Sequence, residues 1–102
     1  MSRIEKIIEM LSIGGKDSFL QHALALEYIK IGKDDEALAQ FNELLEREPD
    51  YVGSYYHKAK LLEKNGKIDE ALDTYEKGME VAKRLNDKHS YNELMMAKEE
   101  LE

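Results

Sequence analysis

Gly32-Lys33-Asp34-Asp35-Glu36-Ala37-Leu38 is followed by Gly66-Lys67-Ile68-Asp69-Glu70-Ala71-Leu72, with six of the seven positions identical at an offset of 34. The same offset sets Ala25 on Ala59, Tyr28 on Leu62, Phe41 on Tyr75 and Leu45 on Met79. A fixed period of this length marks a chain built from repeated supersecondary units that bury their apolar faces by stacking.

The period within the unit is helical. Leu24, Tyr28 and Ile31 recur at i, i+4 and i+7, and Ala37, Phe41, Leu44 and Leu45 form a second stripe after the glycine. Such stripes face neighbouring helices. Gly32 and Gly66 stand where a helix ends in a left-handed residue, and the acids after them favour the positive N-terminus of the next helix. Pro49 stops the second helix of the first unit. The unit is therefore helix, glycine turn, helix.

The register extends beyond both copies. Shifted by 34, Ile7, Met10 and Leu11 fall on Phe41, Leu44 and Leu45, so residues 1–16 form half a repeat ahead of repeats at 18–51 and 52–85. Tyr91, Leu94 and Met95 make a further stripe after a cap at Asp87, giving a terminal capping helix over 87–102. Six helices are expected, near 2–12, 18–31, 35–47, 52–65, 69–85 and 88–100, in a single domain over 1–102.

Composition supports this. The chain has 102 residues, 42% hydrophobic and 36% charged, enough for one core that buries about 60–70% of the unfolded surface. The first ten residues interleave Arg3, Glu5, Lys6 and Glu9 with isoleucines, which excludes a signal-peptide core, and no spanning stretch follows. A cytoplasmic location is the resulting expectation. A net charge of −7 opposes general attraction to nucleic acid or anionic membrane. With no cysteine, disulfides, thiolate metal sites and cysteine nucleophiles are excluded.

At Leu24, Ala25, Tyr28, Gly32, Ala37, Phe41 and Pro49 the first unit resembles the tetratricopeptide repeat, and the second fits at Tyr55, Ala59, Leu62, Gly66, Ala71 and Tyr75. It departs at Lys58 (usually leucine), Gly78 (usually alanine) and Lys83 (often proline), so its second helix should run longer, toward Leu85. The resemblance implies an all-α, tetratricopeptide-like antiparallel helical-hairpin solenoid of about six helices. Small Ala25, Ala37, Ala59 and Ala71 would let helices approach, with Tyr28, Phe41, Leu62 and Tyr75 filling the spaces between.

In this family the first helices line a concave groove that holds peptide segments or other proteins, and enzymatic activity is not implied. On that face the spacing places Phe19, His22, Leu26 and Lys30 in the first repeat. Tyr56, Lys60 and Lys64 follow in the second, with His57 beside them. An apolar half and a basic half would suit a protein or peptide with an acidic segment. The competing expectations are that Phe19 and Leu26 are covered by the N-terminal helix and the lysines merely solvated, or that the module is structural and self-associates as a homo-oligomer. The lysine and asparagine clamp by which some members hold a C-terminal carboxylate is not matched, because His22, Leu26 and His57 occupy its positions.

No catalytic constellation stands out. His22, His57 and His89 lie on separate helices without metal-ligand spacing, so no metal or cofactor is expected. Gly14-Gly15-Lys16 lacks the first glycine and the Ser or Thr of a phosphate loop and reads as a turn. The acids at 34–36 are explained by the helix start they occupy.

Overall fold

A computed structural model describes residues 2–102, which form six helices: α1 (Arg3–Gly14), α2 (Ser18–Lys30), α3 (Asp34–Arg47), α4 (Gly53–Lys64), α5 (Ile68–Arg84) and α6 (Lys88–Leu101). Each lies within three residues of its expected limits. The chain divides into two compact units, Met1–Glu48 and Pro49–Glu102. No helix among the described residues is long and apolar enough to cross a membrane.

In the first unit α1 begins with a capping box that the hydrophobic pattern did not reveal. Ser2 Oγ accepts from the Glu5 amide at 3.1 Å, and the Ser2 amide donates to Glu5 at 3.3 Å. Asp17 caps α2 by accepting from the Leu20 amide at 3.0 Å. Ile7, Leu24, Ala25, Ala37, Phe41 and Leu44 form the buried core. A polar network joins α2 to α3: Arg47 donates to Gln21 (2.8 Å) and Ser18 (2.9 Å), Gln21 donates to Gln40 (3.1 Å), and the Ser18 hydroxyl donates to Glu48.

Two apolar positions depart from the expected stripes. Ile31 is the C-cap residue of α2 and is 56% exposed, because the chain has left helical geometry there and the side chain no longer follows the stripe. Met10 is 48% exposed although its repeat counterpart Leu44 is fully buried. Tyr28 is only half-buried.

In the second unit the core is Tyr55, Ala59, Leu61, Leu62, Ala71, Tyr75, Val81, Ala82, Leu94 and Ala97. The Tyr55 hydroxyl donates to the Pro49 carbonyl at 2.7 Å, and Arg84 forms a two-pronged ion pair with Asp50. The Arg84 guanidinium holds the Asp50 carboxyl below its ordinary range. The Tyr75 hydroxyl donates to Glu63 at 2.8 Å, and burial followed by this carboxylate pushes its pKa up. With lysine rather than proline at 83, α5 runs through Arg84, as its sequence implied.

Three helix ends share one turn. Lys33, Lys67 and Asp87 donate their amides back to Tyr28, Leu62 and Ala82 at 2.9, 2.9 and 2.8 Å, closing the six-residue loop of a Schellman motif. The left-handed residue is Gly32 (φ 78°), Gly66 (φ 77°) and Asn86 (φ 60°) respectively. Asn86 thus takes the glycine's place, and Asp87 caps α6 by accepting from the Ser90 amide at 3.1 Å.

Candidate functional site

The face of α2 predicted to meet a ligand carries four unlike environments. Phe19 is 70% exposed. Leu26 is half-buried. His22 turns its ring edge-on to Phe41, with centroids 5.8 Å apart, and so belongs partly to the α2–α3 packing. Lys30 is exposed and pairs with Glu27 at 3.0 Å, and Glu27 also receives Arg3 from α1 at 3.4 Å. The apolar character expected of this face therefore rests on Phe19 and Leu26, and N-terminal helix α1 leaves Phe19 uncovered.

On α4 the predicted residues come together more closely. The Lys60 ammonium lies 5.7 Å from the centre of the Tyr56 ring, within cation–π range, and 3.8 Å from Glu63. The His57 ring meets Tyr56 edge-on at 5.5 Å. Burial lowers the His57 pKa, against the smaller opposing effect of Glu93 on α6. At pH 7 this imidazole is neutral and offers one donor and one acceptor. Lys64 occupies the last turn of α4, where a cation complements the helix dipole. Together Tyr56, His57 and Lys60 present an aromatic, imidazole and cationic surface.

Lys58, the departure from the family's leucine, is half-buried, and its pKa is lowered by burial and then by neighbouring Lys77. Sequence reasoning missed a hollow of about 370 Å³ at the α5–α6 turn, lined by Lys83, Asn86, Asp87, Tyr91 and Asn92 among others. Its only sequence signal was Asp87 as a cap. Among the described residues, no group of three His, Asp or Glu side chains is arranged to hold a metal ion.

Residues 20–51 and 41–73 each match a tetratricopeptide repeat family model. The two matches overlap over residues 41–51. The chain is similar to a tetratricopeptide repeat domain protein of Salinibacter ruber, at 45% identity and TM-score 0.83, covering 85% of this chain and 88% of that one. A protein of Bordetella parapertussis shares the fold at 24% identity and TM-score 0.86, with 99% and 88% covered. The tetratricopeptide repeat domain of Sgt2 from Aspergillus fumigatus does so at 18% identity and TM-score 0.73, with 95% and 66% covered. No curated protein matches the chain. The 34-residue hairpin, its glycine turns, the two family matches and the Salinibacter likeness agree: this chain belongs to the tetratricopeptide repeat family.

Proposed function

We propose that the chain is a non-catalytic module that binds a protein or peptide segment on the exposed faces of its first helices, α2 and α4. Tetratricopeptide repeats in general mediate contacts between proteins. The observation that carries the reading for this chain is Phe19, an aromatic ring 70% exposed on a helix whose inner face buries Gln21, Leu24 and Ala25. Covering such a ring is worth about 1.5–3 kcal/mol, which is an anchor's contribution. Lys60, held beside Tyr56, supports a ligand that also carries a carboxylate. The ligand feature suited to α2 is an apolar side chain, and the one suited to α4 is a carboxylate.

The test is capture from a lysate of the native cell. Wild type is compared with Phe19→Ala and with Tyr56→Ala/Lys60→Glu/Lys64→Glu, each shown by circular dichroism to fold. The reading expects proteins retained by wild type to be lost by both variants. Retention of the same proteins by all three would overturn it.

A further inference from the structure

Lys83 stands where Pro49 stands one repeat earlier, and α5 runs on through Arg84. The turn that follows is carried by Asn86 in the left-handed region (φ 60°), so a carboxamide takes the place of a glycine's bare backbone. The result is the hollow of about 370 Å³ lined by Lys83, Asn86, Asp87, Lys88, Tyr91 and Asn92. Small-molecule sites span about 300–1,000 Å³, which puts this one near the lower end.

The charges of the hollow are not spent on one another. Lys83 and Lys88 are exposed and take part in no ion pair among the described residues, whereas Lys77 and Lys98 on the same two helices pair with Asp73 (3.1 Å) and Glu76 (3.3 Å). Asp87 is the carboxylate in the lining, and both its oxygens are engaged. One accepts from the Ser90 amide at 3.1 Å and the other from the Ser90 hydroxyl at 2.8 Å. These bonds hold its pKa below the ordinary range. Two free ammonium groups therefore stand against one occupied carboxylate, in a chain of net charge −7.

Asn86 and Asn92 add donors and acceptors, and half-buried Tyr91 adds aromatic surface. An adjoining hollow of about 270 Å³ shares Lys83 and Tyr91 and extends along α5 past Met79 and Glu80. Glu80 repels an anion from that end. The charged part of a ligand is thereby confined to the end with Asn86 and Lys88, and its apolar part is left to Tyr91 and Met79.

We propose that the α5–α6 hollow binds a small organic phosphate, its phosphate held by Lys83 and Lys88 and its aromatic body lying along Tyr91. A phosphomonoester carries a charge of about −1.5 to −2 at pH 7, which suits two ammonium groups, whereas a carboxylate suits one. The site shares no residue with the peptide face proposed on α2 and α4.

Phenyl phosphate titrated into the isotope-labelled full chain at low salt, followed by amide chemical shifts, tests this. Saturable shifts should centre on Lys83, Asn86, Lys88, Tyr91 and Asn92, with a dissociation constant of about 1 mM for so small a ligand. Inorganic phosphate lacks the ring and benzoate carries a single charge, so each should bind about tenfold more weakly. Lys83→Gln/Lys88→Gln should weaken phenyl phosphate binding about tenfold or more. Both lysines are exposed, so this variant should keep the wild-type circular dichroism spectrum; if it does not, Lys88→Gln alone replaces it. A short phosphotyrosine peptide should bind no more tightly than phenyl phosphate, because the hollow takes only the ring and its phosphate. The proposal is overturned by an absence of saturable shifts up to about 10 mM, or by shifts centred on Lys60 and Lys64 of α4. Equal binding of inorganic phosphate or benzoate, wild-type affinity in the lysine variant, or tighter binding of the peptide would each overturn it as well.

Discussion

Gly78 of α5 lies so close to Tyr55 of α4 that a Cβ built on it would stand 2.7 Å from the Tyr55 Cβ and 2.9 Å from Leu94 Cδ1. The Leu94 methyl could swing aside, but the Tyr55 Cβ is fixed to its own backbone. Glycine at this position, where the family usually has alanine, sets how closely α4 and α5 approach. Gly78→Ala should destabilise the protein: overpacking costs about 1–3 kcal/mol, against about 1 kcal/mol gained in helix propensity. Urea unfolding should show a net loss of up to about 2 kcal/mol, whereas a gain would mean that the helices separate freely.

Asn86 carries its left-handed conformation at a cost that glycine would not incur. Asn86→Gly should stabilise by about 0.5–1 kcal/mol, and Asn86→Ala should destabilise by about 1 kcal/mol. Thermal melts of the pair with opposite signs would establish the third turn as equivalent to the two glycine turns. Equal melting temperatures would contradict it.

His57 gives stability a specific pH dependence. Its folded pKa lies below the ordinary 6.5, so between those values the unfolded chain binds more protons. The stability that this residue contributes is complete above 6.5 and is lost as the pH falls through the folded value. Wild type should melt at lower temperature at pH 5 than at pH 7, and His57→Gln should show a smaller decrease over the same interval. Parallel profiles would remove His57 as the cause.

Ala37 and Ala71 are both fully buried at helix contacts. Enlarging either to leucine should cost about 1–3 kcal/mol by overpacking. A variant melting at the wild-type temperature would show that the contact can open.

The helices were legible because the glycine turns, the acidic starts and the apolar spacing all repeat at one offset, so two copies confirm one reading. What escaped depended on the surroundings of a residue. Met10 has the apolar character of Leu44, and only the neighbouring helix decides whether it is covered. Ile31 continues the stripe in sequence, but the helix ends beneath it. Gly78 reads as a weak helix former until Tyr55 and Leu94 are seen against it. The candidate ligand face was legible only as positions on helices. The edge contact of His22 with Phe41 and the pairing of Lys30 with Glu27 depend on side-chain directions that spacing does not encode.

The central claim, that α2 and α4 carry the binding surface, is tested most directly by amide chemical-shift mapping with a fragment of a protein captured from the lysate. The account predicts that the shifts cluster around Phe19 and Leu26 on α2 and around Tyr56, His57, Lys60 and Lys64 on α4. Shifts confined to α1 and α6, or to the outward sides of α3 and α5, would contradict it.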